Sequence, residues 1–65
     1  MTIWTTEVLW ASGGGWKLQN ASRRLSDAQA VAVPTPGAWA RDTYGVFYVG
    51  TAADGTQWRV RGWDA

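Results

Sequence analysis

The chain has 65 residues with neither cysteine nor histidine, which excludes disulfide frameworks, thiolate nucleophiles, the usual zinc and iron sites and imidazole acid-base chemistry. Its hydrophobic share of 46% against 17% charged is that of a folded chain rather than a disordered one. Formal net charge is +1, too balanced to announce nucleic acid by bulk electrostatics.

A domain of this size buries only about 60% of the surface its unfolded chain exposes, so large core side chains or self-association are expected. Six Trp, two Tyr and one Phe supply the side chains. The first ten residues lack the basic region and apolar run of a secretory signal. No stretch approaches the roughly 20 apolar residues of a membrane span. The expectation is a complete small gene product, one domain over residues 1–65, soluble and cytoplasmic, with no membrane partner.

Trp4, Trp10 and Trp16 recur at an even spacing, which keeps Trp4 and Trp10 on one face of a strand and off any single helical face. Residues 2–11 are read as that strand. Ser12, Gly13, Gly14 and Gly15 form the turn, and residues 16–20 return. A loop of the three glycines would pair Trp10 with Leu18 and gather Val8, Trp10, Trp16 and Leu18 on one face. The glycine run also resembles a phosphate-cradling loop, but the chain continues as strand where such a loop needs a helix N-terminus, so a hairpin turn is the better account.

Ser26 followed by Gln29 is a capping-box spacing, and Asp27 suits the positive end of a helix. A helix is therefore expected from Asp27, Ala-rich enough to approach a sheet closely and ended by Pro34. Residues 38–42 are read as one helical turn with Trp39 as a plug over the core.

Residues 44–51 and 56–63 both alternate, and Asp54-Gly55 is a preferred two-residue hairpin turn. That turn would pair Thr51 with Trp58, Val49 with Val60 and Phe47 with Gly62 on the core side. The opposite side would then set Tyr48 against Arg61 and Val46 against Trp63. The expected architecture is α+β: ββαββ, a four-stranded antiparallel sheet with one short helix on one face. Trp16-Lys17-Leu18 and Trp58-Arg59-Val60 share a pattern, which coincidence on a common alternation explains.

The acids include no obvious catalytic pair, and Asp27 and Asp54 have cap and turn roles. No enzyme activity, metal or cofactor is expected. The constellation with functional content is the solvent side of the second hairpin: Tyr44, Tyr48, Arg59, Arg61 and Trp63, joined by Lys17 and Gln19. Arg on an exposed strand commonly covers a neighbouring ring and needs no ligand. Tyr, Arg and Trp are also the types enriched at interface hot spots. The reading is thus a non-enzymatic interaction module, a small adaptor, modulator or inhibitor that binds a larger protein. The alternatives are a single-stranded nucleic-acid-binding module using the same face, where rings stack on bases, and a structural protein that pairs with a second copy of itself. An aromatic-lined pocket for a sugar or other small ligand ranks last in so short a chain.

Overall fold

The strands from the two ends of the chain lie side by side at the centre of the sheet. In the computed structural model, which describes residues 1–42 and 47–64, β1 (Thr2–Leu9) pairs antiparallel with β5 (Gln57–Asp64) over its whole length. β2 (Lys17–Ser22) flanks β1, α1 (Leu25–Ala30) follows, and β3 (Ala40–Arg41) and β4 (Phe47–Thr51) extend the sheet beyond β5. The order is β2-β1-β5-β4-β3, five antiparallel strands rather than the four expected, with one short helix, an α+β fold.

The additional strand is β3, where a helical turn was expected over residues 38–42. Ala40 and Arg41 instead pair with Val49 and Tyr48. Asp42 closes the ladder: its N–H donates to the Phe47 carbonyl at 3.0 Å, and the Phe47 N–H donates to its Oδ1 at 3.1 Å. A lone helical turn would satisfy few of these backbone groups, whereas β4 offers partners for those that face it. Trp39 does pack against the core cluster of Val8, Ala32 and Trp58, as expected of a plug.

Pairing sets the faces. Trp4 opposes Gly62, Thr6 opposes Val60 and Val8 opposes Trp58 on the side that carries α1. Val8, Val60 and Thr6 are fully buried there. Thr6 Oγ1 donates a 2.7 Å hydrogen bond to the Ala28 carbonyl, one of the helix-end acceptors that lack a partner within so short a helix. Ala28 and Ala32 are small enough to let the helix approach, and both are buried. The helix begins at Leu25, two residues before its expected start. Extended Arg24 stands at the N-cap without a side-chain cap, so the Ser26/Gln29 capping box does not form. The bond from Thr6 and the burial of Ala28 place the helix instead.

Residues 34–39 cover the other half of this side. A Cβ on Gly50 would come within 2.6 Å of Pro36 Cβ, and one on Gly62 within 2.9 Å of the Trp4 ring, so both glycines are needed for close approach. Trp4 meets Tyr48 edge-on at 5.9 Å.

Both hairpins differ in register from the expectation. In the second, Gln57 faces Thr51 and Trp58 faces Gly50. The loop is residues 53–55: the Gly55 N–H donates to the Ala52 carbonyl at 3.0 Å and the Ala52 N–H to the Thr56 carbonyl at 2.8 Å. Gly55 has φ 90°, while no described non-glycine residue has positive φ, which excludes a two-residue type I′ turn with Asp54 left-handed. Asp54 Oδ1 instead accepts from the Thr56 N–H at 2.9 Å. One extra loop residue turns β4 over: Tyr48 and Gly50 face the helix side, and Phe47 and Val49 face away.

In the first hairpin Val8 pairs with Lys17 and Glu7 with Leu18, and the register shifts between Thr6 and Glu7 to accommodate Gln19. Trp10 stays on the helix side against Trp58, at 6.2 Å, while Leu18 lies on the opposite side with Glu7 and Trp16 stacks there on Arg59. The apolar residues of this hairpin are divided between the two faces, and the resemblance between its Trp16-Lys17-Leu18 and Trp58-Arg59-Val60 has no structural twofold behind it.

Candidate functional site

No element covers the second face of the sheet among the described residues. Register places Ile3, Thr5 and Glu7 of β1, Leu18 of β2, Phe47 and Val49 of β4, and Arg59, Arg61 and Trp63 of β5 on it. Two arginines two residues apart on one strand must point the same way, and each lies between rings. The Arg59 guanidinium is 4.2 Å from the Trp16 ring centroid and 5.8 Å from that of Phe47. Arg61 is 5.0 Å from Phe47 and 3.7 Å from Trp63. The result is a ladder across the sheet in the order Trp16, Arg59, Phe47, Arg61, Trp63.

The two guanidiniums differ in charge compensation. Glu7, directly opposite Arg59, accepts from its Nε at 3.0 Å, and both side chains are largely removed from water. Arg61 opposes Thr5, whose hydroxyl oxygen accepts from the Trp63 indole N–H at 2.8 Å, and no carboxylate of the described residues bridges Arg61. Among the described residues, the positive charge left over on this face therefore resides on Arg61. Beside it Trp63 is 43% exposed, and in the neighbouring row of Glu7 and Arg59 lie Val49, 36% exposed, and Leu18, 66% exposed.

Of the residues singled out from the sequence, Arg59, Arg61 and Trp63 are brought together. Tyr48 is on the helix side with Trp4, because the hairpin register is shifted by one. Lys17 pairs with Val8 at the end of the first hairpin and takes no part in the ladder, and Gln19 sits at the register shift. Tyr44 lies outside the described residues. Sequence reasoning missed Trp16, Phe47 and Glu7. The signal available for Phe47 was Asp54-Gly55-Thr56, which fits a three-residue loop with an Asp-capped turn as well as a two-residue one.

The described residues hold no group of three His, Cys, Asp or Glu side chains that could bind a metal ion, and no helix of theirs is long and apolar enough to cross a membrane. The Asp54 carboxylate is held below its ordinary 3.8, mainly by the Thr56 backbone N–H. Comparison with protein-family models, curated proteins and solved structures returns no match.

Proposed function

We propose that the chain is a non-enzymatic interaction module that binds a larger protein through the uncovered face of its sheet, as a small adaptor, modulator or inhibitor. The observation that carries this reading is the ladder itself: three aromatic rings and two guanidiniums, with aromatic and Arg side chains among the types enriched at interface hot spots, on the same face as exposed Leu18 and Val49. Strand-borne side chains interlocked by stacking are pre-organised, so a partner loses little side-chain entropy in engaging them. Nucleic acid is less well served. Glu7 already offsets one of the two arginine charges, which leaves a single charge to meet a phosphate backbone, and each ring of the ladder already has a guanidinium on one face.

The test uses changes at exposed positions, with the fold of each variant checked by circular dichroism. Leu18→Asp and Trp63→Ala alter exposed positions, whereas Arg59→Ala would leave Glu7 without its partner. A partner captured from lysate by the wild-type chain, identified and then purified, should bind at least tenfold more weakly to both variants and unchanged to Lys17→Ala on the other side of the sheet. Equal binding to all three variants overturns the reading.

A further inference from the structure

The partner's chemistry follows from Arg61, on the reading just given that the uncovered face is the binding surface. A guanidinium carries five N–H donors and no acceptor. Stacking on Trp63 and Phe47 engages the flat faces of the Arg61 group and leaves its donor-bearing edge without a salt bridge among the described residues. Stacking also holds the fork in one orientation, so less freedom is lost when an anion binds to it.

Among the described residues the charge on this face is Glu7 against Arg59 and Arg61, and the surplus is a single positive group beside Trp63 and Phe47. A second copy of the chain laid face to face would set Arg61 against a surface carrying the same surplus, since Glu7, the carboxylate that the described residues place there, is engaged by Arg59. Burying that charge without a counter-charge is costly. A phosphodiester chain would bring many charges to a face with one to match.

We propose that this face takes a protein segment presenting one carboxylate between apolar side chains, the carboxylate seated on the donor edge of Arg61 and its apolar neighbours against the exposed Trp63 and Val49. Carboxylate and guanidinium match as two parallel N–H to O hydrogen bonds, the geometry that distinguishes arginine from lysine.

The experiment is a selection of random 12-residue peptides on the full chain, followed by titration of the enriched peptides, synthesised singly. Enriched peptides are expected to share an Asp or Glu flanked by apolar residues. Converting that acid to its amide should weaken binding to the wild-type chain at least tenfold but binding to Arg61→Gln less than twofold, with Arg61→Lys between. The amide peptide leaves the protein untouched, so the main comparison holds even if a variant folds poorly. Enrichment of acid-free apolar peptides that lose binding to Leu18→Asp or Trp63→Ala would overturn the carboxylate while leaving the uncovered face as the binding surface. Peptides indifferent to every change on that face would overturn both. Steeply salt-dependent binding of a thymidine 12-mer, or a dimer in light scattering that Arg61→Gln abolishes, would also overturn the proposal.

Discussion

The pair Glu7 and Arg59 offers the sharpest test of how the uncovered face is held together. Arg59→Met keeps an unbranched stem of similar reach but removes the guanidinium, and Glu7→Gln removes only the charge. The structure supplies the terms. A charge-assisted hydrogen bond at 3.0 Å contributes about 1.5–3 kcal/mol when fully desolvated. With the side chains 29% and 22% exposed, solvent screening reduces that to about 1–2 kcal/mol. The stack on Trp16 at 4.2 Å adds about 0.5–1 kcal/mol, and the 5.8 Å approach to Phe47, near the limit of the interaction, adds little. Arg59→Met should therefore cost about 2 kcal/mol and Glu7→Gln about 1 kcal/mol, with a coupling of about 1 kcal/mol between them. A domain of this length has on the order of 3–10 kcal/mol in total, so these are large fractions. Urea titrations followed by Trp fluorescence measure all four corners of the cycle. A coupling below about 0.3 kcal/mol, or one that vanishes in 0.5 M salt, would show an ordinary solvent-screened ion pair and refute the argument that the pair anchors the ladder.

Three further changes probe the architecture. Gly50→Ala should destabilise by about 1–3 kcal/mol, because the new methyl meets Pro36 at 2.6–2.7 Å and the Ala38 carbonyl at 3.0 Å; an unchanged urea midpoint would mean that residues 34–39 do not cross β4 there. Thr6→Val keeps the shape but removes the buried hydroxyl bonded to Ala28, and should cost about 1–2 kcal/mol with loss of protection concentrated in α1 on hydrogen exchange; uniform loss across the sheet would contradict that assignment. Asp54 has a folded pKa below its unfolded 3.8, so its contribution is complete above 3.8 and is lost as pH falls through the lower folded value. The stability gap between wild type and Asp54→Asn should therefore close as pH drops below 3.8, and a gap constant between pH 6 and pH 2 would show that the turn does not depend on the charge.

The strands were legible in the sequence because alternation and β-branched or aromatic residues mark β1, β4 and β5 whatever their neighbours. That one short Ala-rich helix follows β2 was legible too, but not its bounds: it starts two residues before Asp27 and ends at Ala30, before Pro34 can act as a stop. Register was not. It depends on loop geometry: Asp54-Gly55 is compatible with two loop lengths, and what decides between them is Asp54 accepting from Thr56 while Gly55 alone takes a positive φ. β3 was illegible because two residues carry no periodicity, and only the free edge of β4 makes Ala40 and Arg41 a strand. The bond from Thr6 to Ala28 joins residues far apart in the chain, so no local pattern could have shown that the helix is fixed from the sheet rather than by its own cap.

The same shift of register explains why the site differs from the one expected while keeping its arginines. β5 retains its faces, with Trp58 and Val60 inward and Arg59, Arg61 and Trp63 outward, because burial against α1 and β1 determines them independently of the loop. β4 is free to turn over, and Gly50 shows why it does: Pro36 crosses where only a glycine fits, so position 50 must face the helix side. Phe47 is then forced outward between Arg59 and Arg61, and the ladder acquires its middle ring. Phe47 lies 5.0 Å from the Arg61 guanidinium and helps to orient it, while its 5.8 Å approach to Arg59 adds little. The steric demand at Gly50 on one side of the sheet therefore sets the orientation of Arg61 on the other. Gly50→Ala should accordingly weaken carboxylate-peptide binding even under conditions where the chain remains folded, and unchanged affinity in a folded Gly50→Ala variant would separate the two faces and refute that link.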